Sequence, residues 1–101
     1  MSYEVRLLEE VEEDLSLLDM EVLEEVFAYF EKYKTDPYRF SQKLFDRFGM
    51  NLRGYRKTYL HHATYRIVIK IEEEGVKVVQ VVAVGKRDGM AVYETAFKRL
   101  Q

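Results

Sequence analysis

The hydrophobic repeat of this 101-residue sequence changes between its two halves, from a helical period to a strand period. In the first half, Leu23, Val26, Phe27 and Phe30 follow the spacing that places side chains on one face of an α-helix. In the second half, residues 65–71 alternate between the two sides of an extended strand. The two repeats together predict an α+β fold.

Turn and cap residues divide the chain into predicted elements in the order β-α-α-β-β-β-α. Asp19 is a candidate N-cap for the second helix, and Asp36-Pro37 ends that helix because the residue before proline avoids helical dihedrals. Residues 37–53 have no clear period and are predicted as an irregular connection packed over the core. The other predicted elements are a strand over 3–8, a helix over 9–18, strands over Tyr55–Leu60, 65–71 and 76–84, and a last helix over 90–100.

These elements predict a small antiparallel β-sheet with an N-terminal helical hairpin packed on one face and a C-terminal helix. Residues 1–101 are expected to form a single domain, because a chain of this length can build one hydrophobic core. The hairpin covers the sheet face that carries Ile67 and Ile69, so Arg66 and Lys70 lie on the other face. Asp14 is expected on the water side of the first helix.

Composition removes several kinds of chemistry. The chain has no cysteine, which excludes disulfides, thiolate nucleophiles and cysteine-ligated zinc. The two histidines, His61 and His62, are adjacent and cannot chelate a metal as a pair. There is no glycine-rich phosphate loop, no apolar run long enough for a membrane helix and no visible secretory signal. We therefore expect a cytoplasmic protein without a metal or other cofactor.

Charge is distributed unequally along the chain, although the net charge is only -2. Residues 1–50 contain six Lys or Arg against thirteen Asp or Glu, whereas residues 51–101 contain ten against five. The basic half can form either an ordinary solvated sheet face or a cradle for RNA, in which arginines bind phosphate and tyrosines stack on bases. The candidate residues are Arg56, Lys57, Arg66, Lys70, Lys86 and Arg87, accompanied by Tyr59 and Tyr93.

Several short segments of this chain are similar to those of one protein family. They are Gly54-Tyr55-Arg56-Lys57, residues 65–71, residues 82–88 (Val-Ala-Val-Gly-Lys-Arg-Asp) and Val92-Tyr93-Glu94, with Asp36-Pro37 and Lys43-Leu44 in the first half. As a set they resemble the RelE/ParE superfamily of bacterial and archaeal toxins, over nearly the full length of the chain. The predicted order of elements is also that of this family.

The resemblance implies the toxin of a type II toxin–antitoxin system. RelE-like members cleave mRNA on the ribosome without a metal ion, by attack of a ribose 2′-hydroxyl on the adjacent phosphate. A cognate antitoxin protein holds the toxin inactive by laying a helix or strand over its apolar and basic surface. The alternatives are a ParE-like toxin that binds DNA gyrase and cleaves nothing, and a degenerate member that only binds its antitoxin.

The resemblance also implies roles for individual residues. Arg66 matches the arginine that holds the scissile phosphate, Arg87 the arginine that stabilises the transition state, and Tyr93 a tyrosine that stacks on a substrate base. RelE-like members place two lysines ahead of the sheet arginine, and the matching positions here hold Lys57 and Tyr59.

Two features of the preceding strand stay open in the sequence. An extra residue in the hairpin would put Arg56 and Thr58 in the two lysine positions instead of Lys57 and Tyr59. By strand alternation His61 shares a face with Lys57, which makes it a possible substitute base. The candidate catalytic residues are therefore Arg66, Arg87, Tyr93, Lys57 and His61, and the candidate RNA-binding residues are Arg56, Tyr59, Lys70 and Lys86.

Overall fold

The computed structural model describes residues 2–44, 54–86 and 91–100. The elements are β1 (Glu4–Leu7), α1 (Val11–Ser16), α2 (Met20–Thr35), β2 (Gln42–Lys43), β3 (Tyr55–Leu60), β4 (Tyr65–Glu72), β5 (Val78–Lys86) and α3 (Ala91–Arg99). The α+β architecture and the positions of the helical hairpin, the three long strands and the last helix are as predicted. Asp19, with extended backbone dihedrals, occupies the N-cap of α2, and that helix ends one residue before Asp36.

The strands form one sheet in the order β1-β5-β4-β3-β2. The sequence predicts an antiparallel sheet, and this is wrong for one strand, because β1 pairs with β5 in parallel. The other three pairings are antiparallel. Turn residues in the sequence indicate how a strand pairs with the next strand, whereas β1 and β5 are the first and last of the described strands.

The described part of the connection predicted as irregular over residues 37–53 contains a short strand. β2 pairs with β3 at the edge of the sheet, with Gln42 opposite Lys57 and Lys43 opposite Arg56. Leu44, directly after β2, is buried. The remainder of this connection, residues 45–53, lies outside the described residues, so its predicted packing over the core stays a prediction.

Each face of the sheet carries its own hydrophobic cluster. On one face, Ile67 and Ile69 of β4 pack with Val22, Val26 and Phe30 of the helical hairpin, as the alternation predicts. On the other face, Val68 packs with residues of α3. β5 contains a β-bulge at Val82, because Ala83 pairs with Val68 and Val81 pairs with Ile69. Val82 and Ala83 both belong to the cluster on the α3 side. The sheet is therefore covered by the hairpin on one face and in part by α3 on the other.

Asp14 is not on the water side of α1, contrary to the sequence-based expectation. Its carboxylate accepts two hydrogen bonds from Arg99 of α3, at 2.7 and 2.9 Å, and a third from the backbone N–H of Val84 at 3.0 Å. Arg99 also donates to the carbonyl of Val82 at 2.9 Å. β1 ends opposite Val81, so the following residues of β5 have no strand partner on that edge. The ion pair supplies hydrogen bonds to the Val82 carbonyl and the Val84 N–H there.

Candidate functional site

The register of β3 against β4 decides which residues share a face with Arg66. Tyr59 lies directly opposite Arg66, and Lys57 lies opposite Val68. Residues directly opposite each other in an antiparallel pair point to the same side of the sheet. Lys57 and Tyr59 therefore flank Arg66 on the α3 side. Arg56 and Thr58 point to the other side. The β-hairpin of β3 and β4 therefore has no extra residue, and the alternative that places Arg56 and Thr58 in the two lysine positions is excluded.

Arg66 is the centre of this group, and only 6% of its surface is exposed. Its guanidinium carbon lies 5.0 Å from the ring centroid of Tyr59 and 4.7 Å from that of Tyr93. The guanidinium is thus held between two aromatic rings, and contacts of this kind are each worth about 0.5–2 kcal/mol. Its buried Nε has no hydrogen-bond partner among the described residues. A buried cation with an unused donor favours an anionic ligand that supplies the missing acceptor.

Lys57 and Tyr59 form the second part of the site. The Lys57 ammonium donates a hydrogen bond of 2.6 Å to the Tyr59 hydroxyl and lies 4.8 Å from the centroid of that ring. This hydrogen bond is the main cause that lowers the pKa of the Tyr59 hydroxyl below its ordinary value of 10.0. Smaller contributions that lower this pKa come from the positive charges of Lys57 and Arg66 and from Tyr93, while burial opposes them.

Tyr93 reaches the site from the helix that covers this face. It lies on α3, is 2% exposed and belongs to the cluster of Val68, Val82 and Ala83. Its ring stacks on the Arg66 guanidinium. The base-stacking role that the resemblance implies for Tyr93 stays a prediction, and the role visible in the fold is to cover one face of Arg66.

The other candidate cations are distributed around this centre. Lys70 lies on the same face as Arg66, about 13 Å further along β4 from the rise of a strand, and its amine sits 5.4 Å from the ring centroid of Tyr55. Lys86 pairs with Tyr65 and points to the opposite face from Arg66. Arg56 also lies on that opposite face, where it donates to the Ser41 hydroxyl at 2.7 Å and to the Ser41 carbonyl at 3.0 Å. Arg87 lies outside the described residues.

The position of His61 differs from the one that strand alternation predicts. β3 ends at Leu60, and His61, His62 and Ala63 all have left-handed backbone dihedrals, with φ of 49°, 55° and 63°. This turn directs the His61 ring towards α2, where Nδ1 lies 3.3 Å from a carboxylate oxygen of Glu25. His61 therefore does not share a face with Lys57 and Tyr59. A four-residue link between two strands indicated a turn, but the sequence has no glycine there to reveal the left-handed dihedrals.

Neither a metal-binding cluster nor a membrane-spanning helix is present in the described part of the chain. Residues 2–44, 54–86 and 91–100 contain no group of three or more His, Asp or Glu side chains placed to hold a metal ion. Within the same ranges, no helix combines the length and the apolar character needed to cross a membrane.

The element order, the mixed five-stranded sheet and the helices on its two faces match the fold of the RelE-like toxins, a class of small α+β proteins. A double mutant of the Escherichia coli toxin RelE in the free state matches with a TM-score of 0.74 and 26% sequence identity, over 100% of both chains. A RelE mutant in complex with an antitoxin RelBc peptide matches with a TM-score of 0.68 and 27% identity, again over 100% of both chains.

A third match comes from another organism. The toxin–antitoxin complex RelBE2 from Mycobacterium tuberculosis matches with a TM-score of 0.71 and 25% identity, covering 86% of this chain and 100% of that chain. No protein-family model matches the sequence, and no curated protein matches it. The chain has the RelE-like toxin fold, as its sequence motifs predict, and the matches support a toxin of a type II toxin–antitoxin system.

Proposed function

We propose that this protein is a ribosome-dependent endoribonuclease that cleaves mRNA in the cytoplasm without a metal ion. The observation that carries the proposal is the buried Arg66 guanidinium, which has an unused donor and lies between Tyr59 and Tyr93 beside Lys57. A phosphodiester of an RNA strand supplies the acceptor oxygens that this donor lacks. The two cations and the aromatic rings fit a phosphate with its flanking nucleoside.

In the proposed reaction, the ribose 2′-hydroxyl attacks the adjacent phosphorus in line and the 5′-oxygen of the next nucleotide leaves. The products are a 2′,3′-cyclic phosphate and a free 5′-hydroxyl. Arg66 holds the phosphate and stabilises the negative charge that builds up on its oxygens, because a cation held in place before the reaction needs no reorganisation during it. Arg87 has the role of a second stabilising cation on the strength of the family resemblance.

The proposed partner that keeps this activity in check is a cognate antitoxin protein. RelE is in complex with an antitoxin peptide in one matched structure, and another match is a toxin–antitoxin complex. An antitoxin that covers the face of Lys57 and Arg66 would exclude RNA from it. A small open reading frame adjoining this gene, whose product restores growth when both are expressed, is the expected genetic signature.

The test of the nuclease is incubation of the purified protein with programmed ribosomes, followed by mapping of mRNA ends. Wild type is expected to cut the mRNA, and Arg66→Ala to cut at least 100-fold more slowly, in line with the loss of a preorganised charge, about 10²–10³-fold. Arg87→Ala is expected to abolish cleavage. The matched control is Arg6→Ala, which removes the same charge from an exposed side chain on β1.

Two results would contradict this proposal. One is an Arg66→Ala variant that stays folded and cuts as fast as Arg6→Ala. The other is a wild-type protein that cuts no mRNA. In that case, inhibition of DNA gyrase by the same preparation would point to the ParE-like function, and a lack of both activities would point to a member that only binds its antitoxin.

A further inference from the structure

We propose that Tyr59 is the general base of the reaction, accepting the proton of the attacking 2′-hydroxyl through its phenolate oxygen. This inference rests on the proposed function and assigns the proton acceptor, which the family resemblance leaves open because one of two expected lysines is a tyrosine in this chain. Lys57 is then a positioning residue that stabilises the phenolate.

The location of Tyr59 fits this role. It is directly opposite Arg66 in the β3–β4 register, so its hydroxyl lies on the same face as the cation that binds the phosphate. The Arg66 guanidinium packs against the Tyr59 ring at 5.0 Å, which fixes the ring relative to that phosphate site. Tyr59 also contributes to the lining of a groove of about 240 Å³ at the β2–β3 edge, together with Lys57 and Gln42 and with residues on the helical-hairpin side such as Tyr29 and Thr58. Tyr59 itself is half-buried, so part of it is open to an RNA strand that approaches from solvent.

Two cationic contacts stabilise the deprotonated form of Tyr59. Lys57 donates to the hydroxyl oxygen at 2.6 Å, and Arg66 lies against the ring. A phenolate gains more from these positive charges than the neutral phenol does. The lowered pKa of Tyr59 agrees with this geometry. Tyr55 on the same strand and face shows the contrast, because burial raises its pKa.

The other candidate bases are less well placed. Lys57 uses its ammonium as a donor to Tyr59, and an ammonium has no lone pair to accept a proton. His61 faces Glu25 on the other side of the sheet. Among the described residues, neither Lys57 nor Arg66 forms a salt bridge with a carboxylate that could act as the base instead.

The proton and electron pairs balance in this step. The proton of the 2′-hydroxyl moves to the Tyr59 phenolate as the 2′-oxygen forms its bond to phosphorus. The bond from phosphorus to the 5′-oxygen breaks, and that oxygen keeps the electron pair and takes a proton from solvent water. Tyr59 then releases this proton to solvent, which completes the cycle.

The first experiment compares Tyr59→Phe with Tyr55→Phe in the ribosome cleavage assay across pH. Both variants lose one hydroxyl from β3, and Tyr59→Phe keeps the ring that packs on Arg66. We expect Tyr59→Phe to lower kcat by about 100-fold with little change in KM, within the range of about 10²–10⁴ for a general base. Wild type and Tyr55→Phe should show a rate that rises with pH, and Tyr59→Phe should lose this rise.

The second experiment needs no RNA and follows tyrosinate absorbance during an alkaline titration of the isolated protein. We expect wild type to contain one tyrosine that ionises before the others, and Tyr59→Phe to lack it. Lys57→Met should shift this ionisation to higher pH, because the main cause of the lowered pKa is removed.

The outcomes separate this inference from the proposed function. If wild type cleaves mRNA and Tyr59→Phe keeps both the full rate and the pH dependence, Tyr59 is not the base while the nuclease function stands. If the early ionisation persists in Tyr59→Phe, the inference is likewise overturned. A wild type that cleaves nothing overturns both proposals.

Discussion

At the scale of single residues, Arg66 is a charged side chain that is buried at a cost in folding free energy and stabilised in part by two aromatic rings. Burial removes water from its guanidinium, and its Nε stays without a partner among the described residues. The rings of Tyr59 and Tyr93 offset part of this cost. Replacing a buried charge by an apolar side chain of similar size is often neutral or stabilising. Arg66 is thus better suited to binding an anion than to stabilising the fold.

We predict that Arg66→Met keeps the free energy of unfolding within about 1 kcal/mol of wild type while mRNA cleavage is lost. Urea denaturation and the ribosome assay measure the two effects. Thr58→Val is the contrasting variant, since it removes a hydroxyl that is used inside the fold. Thr58, next to Tyr59 on β3, is hydrogen-bonded to the buried Tyr33 hydroxyl and donates to the Phe40 carbonyl. It should lose about 1–3 kcal/mol. A loss of similar size in Arg66→Met would instead assign a structural role to Arg66.

At the scale of elements, the Asp14–Arg99 ion pair joins α1 and α3 across the uncovered edge of β5. Both side chains are 15% exposed, and together they satisfy the N–H of Val84 and the carbonyl of Val82. The hydrogen bond that Arg99 donates to Asp14 is the main cause that raises the pKa of Arg99. Because α3 carries Tyr93, this ion pair also helps to hold the ring that covers Arg66.

We predict that Asp14→Asn lowers the free energy of unfolding by about 1.5–3 kcal/mol, the usual range for hydrogen bonds to a charged group. The amides of α3 and Val84 should exchange with solvent faster, because the carboxylate no longer anchors them. Denaturation and hydrogen exchange measure these effects. Glu12→Gln, an exposed carboxylate on the same helix, is the control. Equal stability of the two variants would show that the ion pair does not hold α3 in place.

At the scale of the whole molecule, Glu73 links three segments that are distant in the chain. Its carboxylate accepts hydrogen bonds from the hydroxyls of Tyr3, next to β1, and Tyr38, after α2. The hydrogen bond from Tyr3 is the main cause that lowers the pKa of Glu73, and the same bond raises the pKa of Tyr3 from 10.0 to about 12. A titration of either group therefore weakens the connection between these segments.

The shifted pKa values of Glu73 and Tyr3 predict a loss of stability at low pH and at high pH, respectively. The lowered pKa of Glu73 gives stability that is present above its ordinary value of 4.5 and is lost as the pH falls through the folded-state pKa. The raised pKa of Tyr3 gives stability that is present below pH 10.0 and is lost as the pH rises through about 12. Glu73→Gln should reduce the pH dependence of unfolding in both windows, as measured by urea denaturation. Glu74→Gln is the control, and identical profiles for the two variants would rule out this linkage.

Much of the fold could be predicted because hydrophobic periodicity is a local property. The spacing of Val26 and Phe30 marked the buried face of α2, and the alternation in β4 correctly separated Ile67 and Ile69 from Arg66. The short strand β2 could not be predicted, since two residues are too few to show a period. The left-handed turn at His61 could not be predicted because neither glycine nor asparagine, the residues that most clearly indicate positive φ, occurs among His61, His62 and Ala63.

The sequence by itself determined the elements, the two faces of the central strands and the motifs that resemble RelE-like toxins. Only the tertiary structure decided that β1 runs parallel to β5, that Tyr93 on α3 stacks on Arg66, and that Asp14 meets Arg99. These contacts join residues far apart in the chain. Their geometry depends on how the packed layers approach each other, which the pattern within any one segment does not contain.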